Sequence, residues 1–278
     1  MMPSHPAAWI ALALAAAIGL YALVLAALYA GQRQILFRPD RTRPDAAPLA
    51  ELGLVEIRVP TPDGLDLLAW WLPPAPAANG LVVLYLHGNA GHIGHRGARV
   101  RAVAARGWGG LFVGYRGYGG NPGQVSEAGL RIDVEAALAA LRARGIPPAR
   151  IVVWGESLGS GLATGLAARH ELGAVVLETP YTSIAAIARQ RYPFAPVDLL
   201  LKDHFDSLGA MPAIRSPVLV AVAGRDRVVP PTMGHALYAA SSGSAELWEA
   251  PLASHVDMLQ FGLLDRIADF LARRLPPR

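Results

Sequence analysis

The chain has 278 residues, of which 53% are hydrophobic and 17% are charged, and its formal net charge is +4. This composition supports a large buried core and excludes an intrinsically disordered chain. The absence of cysteine excludes disulfides, thiolate metal sites and a cysteine nucleophile. The basic residues are scattered rather than run together, so we predict no nucleic-acid partner.

An uncharged apolar stretch runs from Ala7 to Ala30. As a helix this stretch would be roughly 36 Å long, which is enough to cross the core of a bilayer. A cleaved signal peptide is the alternative, but it needs a basic segment before the apolar run, and the segment here is MMPSHP. We therefore predict that residues 1–31 form a single-pass membrane anchor that is not cleaved.

Four arginines follow the apolar stretch closely, at positions 33, 38, 41 and 43. Because positive charge is retained on the cytoplasmic side, we predict that the rest of the chain lies on that side of the membrane. Residues 32–53 are rich in Arg, Pro and Ala and are predicted to be a linker that wraps onto the following domain. The domain itself is predicted to occupy residues 54–278.

Two short strand-like runs, Leu54–Val59 and Leu65–Leu72, flank the turn signal Thr61–Gly64 and predict a hairpin. A loop at Pro73–Gly80 follows, and strand-like and helix-like segments then alternate to the end. The predicted strands are Leu81–Leu86, Leu111–Val113, Ile151–Trp154, Ala174–Leu177, Val218–Ala223 and Ala245–Trp248. The predicted helices lie near Gly94–Arg106, Gln124–Arg144, Ser157–Arg169, Thr232–Ala240 and Met258–Leu275.

This alternation predicts an α/β fold with a mostly parallel central sheet and helices on both faces. Residues 181–215 interrupt the alternation with aromatic, Pro and mixed residues. We interpret them as a short cap-like insertion over the carboxyl edge of the sheet.

The segment Gly155–Gly159 reads Gly-Glu-Ser-Leu-Gly and lies between a predicted strand and a predicted helix. That context is required for a nucleophile elbow, a tight turn that lifts a serine hydroxyl above the sheet. The turn crowds the backbone, which favours glycine at positions 155 and 159. We therefore predict Ser157 to be a nucleophile; the alternative is a glycine-rich helix start in which Ser157 is an N-cap.

A nucleophilic serine needs a base, and His255 follows the last predicted strand. Asp226 follows the strand Val218–Ala223 and would hold the imidazole in the required tautomer. The chain order Ser157, Asp226, His255 is the order expected for this kind of elbow. Each residue falls at the carboxyl end of a predicted strand, where open α/β sheets form their sites.

The segment His87–Gly91 follows the strand Leu81–Leu86 and consists mostly of small residues. We predict that the backbone N–H groups of Asn89 and Leu158 form an oxyanion hole. Gly88 would allow close approach to the substrate, and His87 would brace the loop. The alternative is an ordinary glycine-rich turn.

Three further features remain open to more than one interpretation. Glu178 and Tyr181, at a strand end, either line the pocket or only end the strand. Gly114–Gly120 lacks the lysine of a phosphate-binding loop and is interpreted as structural. His92 and His95 have a spacing that a metal ion could use, but without a carboxylate cluster nearby in the sequence we interpret them as surface residues. We predict no metal ion and no cofactor.

The chain resembles the Bem46-like branch of the α/β-hydrolase superfamily, which includes the α/β-hydrolase domain-containing proteins 13 and 17. The resemblance implies catalytic roles for Ser157, Asp226 and His255 and an oxyanion loop at the matching positions. Members often carry an N-terminal membrane segment, and some are depalmitoylating thioesterases. The chain departs from the pattern at Tyr181, where Phe is common, and at Val256, where Asn is common. The segments that carry the resemblance are 85–91, 114–119, 155–159, 177–183, 224–230 and 254–255.

The sequence thus predicts a membrane-anchored serine hydrolase that cleaves a carboxylic ester or thioester of a small-molecule or lipid-like acyl substrate. A serine peptidase or amidase with the same triad is one alternative. A catalytically inactive interaction module with the same fold is another, because fold alone does not establish function.

Overall fold

The computed structural model describes residues 6–75 and 80–275. Part of the predicted loop Pro73–Gly80, the first five residues of the predicted anchor and the last three residues of the chain lie outside the described residues.

The chain begins with one long helix, α1, which spans Pro6–Leu36. Among residues 6–75 and 80–275 it is the one helix long and apolar enough to cross a membrane; the most apolar 18-residue window has a mean hydropathy of 2.5 and is not buried. The helix continues through Gln32–Leu36, which the sequence had suggested as linker. Gly31 is accommodated inside the helix, and no proline interrupts the chain between Ala7 and Arg38.

An eight-stranded sheet forms the centre of the molecule, and the mostly parallel sheet predicted from the sequence is confirmed. The strands are β2 (Val55–Pro60), β3 (Asp66–Leu72), β4 (Val82–Leu86), β6 (Gly109–Val113), β7 (Ile151–Glu156), β8 (Ala174–Glu178), β9 (Val218–Ala223) and β10 (Ala245–Ala250). Their order across the sheet is β10-β9-β8-β7-β4-β6-β3-β2. β2 and β3 form the predicted antiparallel hairpin, and β3 also pairs antiparallel with β6, while the remaining neighbours are parallel.

Helices cover both faces of the sheet, as predicted. Alternate residues of β4 belong to two different core clusters, with Leu84 in one and Tyr85 in the other, because successive side chains point to opposite faces. The first face is covered by α3 (Glu127–Ala143), α4 (Leu158–Ala167) and α8 (Pro231–Ala239). The second is covered by α2 (Gly97–Ala105) and α9 (Leu263–Arg274).

The segment after α1 joins the domain without a long connection. Its strand β1 (Arg38–Pro39) pairs in parallel with β5 (Ala90–Gly91), which lies in the loop after β4. A 3-10 helix follows at Ala47–Leu52, and Leu49 is buried in the core.

The predicted insertion 181–215 begins at the carboxyl end of β8 and contains three short helices, α5 (Ile184–Arg191), α6 (Val197–Leu200) and α7 (Ser207–Ala210). We call these residues the cap. Asp206 caps α7 by accepting a hydrogen bond from the Gly209 N–H. The ring of Phe205 packs edge-on against Phe37, which follows α1.

The strand order reverses at β4: the next strand of this sheet in the chain, β6, lies on one side of β4, and the following strand, β7, lies on the other. Open α/β sheets have a crevice at the carboxyl end of such strands, and ligands bind there. The loop after β4 and the turn after β7 therefore face one another across this crevice.

The crowding at the turn between β7 and α4 predicts that the stability of the fold falls sharply when a side chain is added at Gly159. A Cβ added to Gly159 would overlap the backbone carbonyl of Leu86. We expect Gly159→Ala to destabilise the fold by at least about 2 kcal/mol, since neither backbone can move without disrupting the sheet. Thermal unfolding of the detergent-solubilised chain measures this change.

Gly97→Ala is the matched control, because its Cβ would meet only Leu49 side-chain atoms at 3.9 Å. In the first turn of α2 this replacement should be neutral or stabilising by up to about 1 kcal/mol. An equal loss of stability in the two variants would contradict the role given to crowding at the turn.

Candidate active site

The three predicted triad residues lie together at the carboxyl edge of the sheet, in one chain of hydrogen bonds. The Nδ1 atom of His255 lies 2.6 Å from Oδ2 of Asp226, and its Nε2 atom lies 2.9 Å from Oγ of Ser157. Because a carboxylate only accepts, the proton on the ring belongs on Nδ1, and Nε2 is left to accept from the serine hydroxyl. This arrangement can remove a proton from Ser157.

Ser157 has a strained backbone conformation, with φ of 50° and ψ of −116°. Positive φ is uncommon for a residue with a side chain, and surrounding structure must hold it in place. Here the Ser157 N–H donates to the Glu178 carbonyl at 2.9 Å, which fastens the turn to β8. A Cβ on Gly155 would overlap the Gly159 carbonyl, so the turn needs glycine at both flanking positions.

The acid and the base are each fixed by local hydrogen bonds. Oδ1 of Asp226 accepts from the N–H groups of Val228 and Val229, both at 2.8 Å. The loop that carries His255 is closed by Asp257, whose carboxylate accepts from the Ser254 N–H and hydroxyl at 2.7 Å each. Asp257 was not predicted to have a role, although its position two residues after the histidine suits such a loop.

The two predicted oxyanion donors lie on either side of the crevice. Leu158 is the first residue of α4, so its N–H is among those with no acceptor within the helix. The Asn89 carbonyl accepts from the Arg38 N–H at 3.0 Å and from the Tyr118 hydroxyl at 2.8 Å. The Asn89 side-chain amide donates to the Leu36 carbonyl, at the end of α1, at 2.9 Å. The loop is thus tied directly to the end of the N-terminal helix.

His87 and Gly88 support the same loop. A Cβ on Gly88 would lie 3.5 Å from Cβ of Ser157, so this glycine keeps the loop close to the serine. His87 is fully buried, and its Nδ1 lies 2.7 Å from the Gly88 carbonyl, which places the ring proton on Nδ1. Burial lowers the pKa of His87 to about 3, so the ring stays neutral.

The predicted structural loop Gly114–Gly120 supplies the aromatic surface behind His87. The ring centroids of Tyr115 and Tyr118 lie 4.1 Å and 5.2 Å from the centroid of the His87 imidazole. Within the loop, Arg116 bonds the buried carboxylate of Asp133. Its side chains are therefore engaged inside the protein.

A buried ion cluster lies behind the elbow. Glu156, the residue before the serine, accepts from Arg96 at 2.9 Å and from the Tyr85 hydroxyl. Arg99 contacts Glu156 at 3.4 Å and Glu178 at 2.5 Å. Burial alone raises the pKa of Glu156, but the charges of Arg99 and Arg96 outweigh it and the pKa ends below its ordinary value. This cluster was not predicted from the sequence, although Arg96, at the N-cap of α2, and Arg99 have a spacing that brings two side chains to the same side of a helix.

Glu178 and Tyr181, suggested as pocket-lining residues, are turned into the protein instead. Glu178 is 0% exposed, and its carboxylate accepts from Trp154 at 2.9 Å as well as from Arg99. Tyr181 is 1% exposed and donates its hydroxyl to the Leu158 carbonyl at 3.2 Å. Both residues hold the elbow in place from behind, because burial leaves their side chains no surface to offer a ligand.

His92 and His95 meet a carboxylate that is distant in sequence, Asp40, with the ligand atoms of all three within 4.8 Å of one another. His92 is buried, which corrects its interpretation as a surface residue. Its Nδ1 already accepts from the Gly94 N–H, so Nε2 carries the proton and is not free to bind a metal ion. The two rings are stacked with their centroids 4.2 Å apart, and the Nε2 atom of each lies 3.6 Å from Oδ2 of Asp40. The cluster suits a hydrogen-bonded support for β1 and β5 better than a metal site.

A shallow groove of about 450 Å³ lies elsewhere, and its lining contains none of the triad residues. It is lined by Pro62, Asp63, Arg131, Ile132, Glu135 and Arg169.

Comparison with curated proteins finds relatives over most of the chain. It is 36% identical over 236 residues to the uncharacterised protein Rv2307c of Mycobacterium tuberculosis, a match that covers 84% of each chain. It is 33% identical to the protein bem46 of Schizosaccharomyces pombe, over 68% of this chain and 67% of that protein. It is 32% identical to the human α/β-hydrolase domain-containing protein 17B, over 69% of this chain and 67% of that protein. No family model matches the chain.

Among solved structures, the Pyrococcus furiosus esterase Pf2001 superposes with a TM-score of 0.72. The superposition covers 86% of this chain and 98% of the esterase at 19% identity. At that identity the likeness establishes the fold alone.

The lowered pKa of His87 predicts a dependence of stability on pH. Between pH 6.5 and about 3 the unfolded chain binds a proton at this residue that the folded chain does not, so stability falls as the pH falls through that range. At about pH 5 the contribution lost is roughly 2 kcal/mol. We expect the melting temperature in detergent to fall more between about pH 7.5 and 5 for the unmodified chain than for His87→Gln. An equal fall for the two proteins would remove His87 as the cause.

Proposed function

The chain belongs to the Bem46-like branch of the α/β-hydrolase superfamily, and from that premise we propose that it is a membrane-anchored serine hydrolase. It cleaves a carboxylic ester or thioester of an acyl or lipid-like substrate. The α/β-hydrolase fold predicted from the sequence is confirmed by the relatives and by the superposition on an esterase.

The observation that carries the proposal is the hydrogen-bonded chain from Asp226 through His255 to Ser157 on a strained elbow. As Oγ of Ser157 attacks the substrate carbonyl, Nε2 of His255 takes its proton, and Asp226 stabilises the imidazolium. The same proton then goes to the leaving alcohol or thiol, and an acyl-enzyme remains. Water, deprotonated by His255, attacks the acyl-enzyme and releases the acid and free Ser157.

The negative charge that develops on the carbonyl oxygen needs donors that are already in place. The N–H groups of Asn89 and Leu158 are the proposed donors, each typically worth about 10²- to 10³-fold in rate. The Asn89 N–H belongs to the Gly88–Asn89 peptide, whose carbonyl lies 2.7 Å from Nδ1 of His87, and the bonds from Arg38 and Tyr118 hold the next peptide along the loop. The loop is thereby fixed in one orientation, which supports the assignment, because preorganised donors need not rearrange during the reaction.

The membrane part of the proposal rests on α1. Its exposed apolar surface and length suit a bilayer, and four arginines follow it, which favours the cytoplasmic side for the domain. The helix also bonds to the folded domain, through Tyr21 to Phe194 and through Arg33 to Asp203. Cleavage near Ala30 would remove the first of these contacts, and this supports an anchor that is retained.

Replacing the nucleophile tests the proposed chemistry. Ser157→Ala should lower turnover of p-nitrophenyl esters by at least about 10⁴-fold in the detergent-solubilised full chain, because the acyl-enzyme can no longer form. A fluorophosphonate probe should label the unmodified protein and not the variant. Substrates of increasing acyl length, a thioester and a peptide amide should be assayed in parallel to identify the bond cleaved.

Ser160→Ala is the control, since Ser160 is one turn away on α4 and its buried hydroxyl has no partner among the described residues. It should retain activity and labelling. The same low turnover in the unmodified chain and in Ser157→Ala, with no probe labelling, would instead favour the inactive interaction module.

A single hydroxyl tests the oxyanion loop. Tyr118→Phe removes the bond to the Asn89 carbonyl without changing volume, so kcat should fall by about three- to tenfold while KM changes little, which corresponds to the loss of roughly 1 kcal/mol. Tyr238→Phe removes the same atom from an exposed tyrosine on α8 and should have no effect. If Tyr118→Phe raised KM and left kcat unchanged, the loop would be a binding element and not a source of transition-state donors.

A further inference from the structure

The end of α1 and the cap are joined by side chains. The Gln32 amide donates to the Leu200 carbonyl at 3.0 Å and accepts from the Lys202 N–H at 2.7 Å. The next residue of α1, Arg33, donates from its guanidinium to the buried carboxylate of Asp203 at 2.8 Å. The cap is therefore fastened to the helix just beyond the apolar stretch.

A second contact between α1 and the cap lies nearer the N-terminus of the helix. The Tyr21 hydroxyl donates to the Phe194 carbonyl at 2.7 Å. Between the two levels, the Lys202 ammonium lies 3.9 Å from the ring centroid of Tyr29. The cap thus follows the side of α1 from Gln32 back to Tyr21, within the apolar stretch Ala7–Ala30.

The length of the apolar stretch restricts the position of the bilayer core along α1. Tyr21 is nine residues before Ala30 in the sequence, or about 13 Å along the helix. The apolar part that precedes Tyr21, Ala7–Leu20, is about 21 Å long, and a bilayer core is about 30 Å thick. The helix can cross the core only if the level of Tyr21, and with it the Phe194 carbonyl, lies inside the core.

The cap presents exposed apolar side chains along this part of α1. Phe194, at the level of Tyr21, is 52% exposed, and Leu199, beside the Leu200 carbonyl that Gln32 binds, is 84% exposed near the end of the apolar stretch. The nearby charges of Arg189 and Asp198 are paired with one another at 2.9 Å, which lowers the cost of bringing them to a membrane interface. Exposed apolar residues on a segment bound to a membrane helix are expected to be covered by the same lipid.

We propose that the cap segment Tyr192–Leu201 is a second membrane-contacting element, which enters the acyl region of the bilayer beside α1 with Phe194 and meets the boundary of that region with Leu199. The partner of this surface is the lipid bilayer itself. The sequence gives no separate signal for it, because the segment is short, contains charges and is apolar only at scattered positions.

The same arithmetic locates the active site, and this step rests on the proposed function. The Asn89 amide bonds the carbonyl of Leu36, which is six residues beyond Ala30 and so about 9 Å outside the apolar stretch. Headgroup layers extend roughly 5 to 8 Å beyond the core on each side. The oxyanion loop thus lies at the outer edge of the headgroup layer. The substrate class that fits is an amphiphile that is anchored in the bilayer and whose ester or thioester bond reaches that outer edge.

The absence of cysteine allows a direct test, since a single introduced cysteine is a unique site for a nitroxide label. Phe194→Cys and Leu199→Cys are the test positions in the full chain, reconstituted in phosphatidylcholine vesicles. Leu20→Cys, 63% exposed on α1, is the reference for lipid. Tyr238→Cys, 41% exposed at the carboxyl end of α8 and so at the opposite edge of the sheet, is the reference for water.

Collisions of each label with oxygen, which concentrates in the acyl region, and with a water-soluble nickel chelate report its depth. The label at 194 should give oxygen-dominated relaxation, as at 20, and the label at 199 should be shielded from nickel relative to the label at 238. Nickel-accessible labels at both test positions beside a shielded label at 20 would overturn the proposal and leave the anchor in place. Nickel access at 20 as well would overturn both the proposal and the anchor.

An activity measurement separates this inference from the proposed chemistry. The double variant Phe194→Asp, Leu199→Asp should lower turnover of a long-chain ester embedded in vesicles by at least about tenfold, because charged side chains resist entry into the acyl region. Turnover of water-soluble p-nitrophenyl acetate should stay unchanged. Equal loss on both substrates would overturn the membrane role of the cap, whereas absence of turnover of p-nitrophenyl acetate in the unmodified chain would overturn the proposed function and leave the label measurements valid.

Discussion

Steric crowding of the backbone at the turn between β7 and α4 is the constraint on which the rest of the structure depends. Gly159 lies so close to the Leu86 carbonyl that no side chain fits between them, and Ser157 is held at a positive φ as a consequence. The close approach sets the distance between β4 and α4. It therefore also sets the width of the crevice between the loop after β4, with Asn89, and the start of α4, with Leu158.

A strained turn persists only if its surroundings leave it no alternative, and the buried ion cluster supplies that restraint. Glu156 precedes the strained serine and is held by Arg96 and Arg99 on the opposite face of the sheet. Arg99 continues the connection to Glu178, whose carbonyl accepts from the Ser157 N–H. Two carboxylates and two guanidinium groups balance in charge. Such clusters contribute little net stability but make the loss of a single member costly, so they favour one geometry over others.

The parts of the fold that sequence predicts well are those governed by local rules. Continuous apolar runs gave the strands of the parallel sheet to within a few residues, and the glycines flanking Ser157 follow from the geometry of one turn. Contacts between distant segments were not predictable in this way. Glu178 lacks any local feature that identifies Arg99 as its partner, and so the strand-end position suggested a pocket residue. Asp40 lies 52 positions before His92 in the sequence, and only the pairing of β1 with β5 brings them together. The bonds of Gln32 and Arg33, in the last turns of α1, to the cap are likewise contacts between distant segments.

The direct passage from α1 into β1 has a consequence for how the enzyme domain meets other molecules. Phe37 alone separates the helix from the strand, and its ring is buried against Phe205. A domain on a flexible tether would sample all orientations and would lose that rotational freedom again at each encounter. Here the freedom is given up once, when the chain folds, so with α1 as the proposed membrane anchor each encounter in the plane of the bilayer begins with the domain already aligned. The search for a partner is thereby reduced from three dimensions to lateral diffusion and rotation about a single axis.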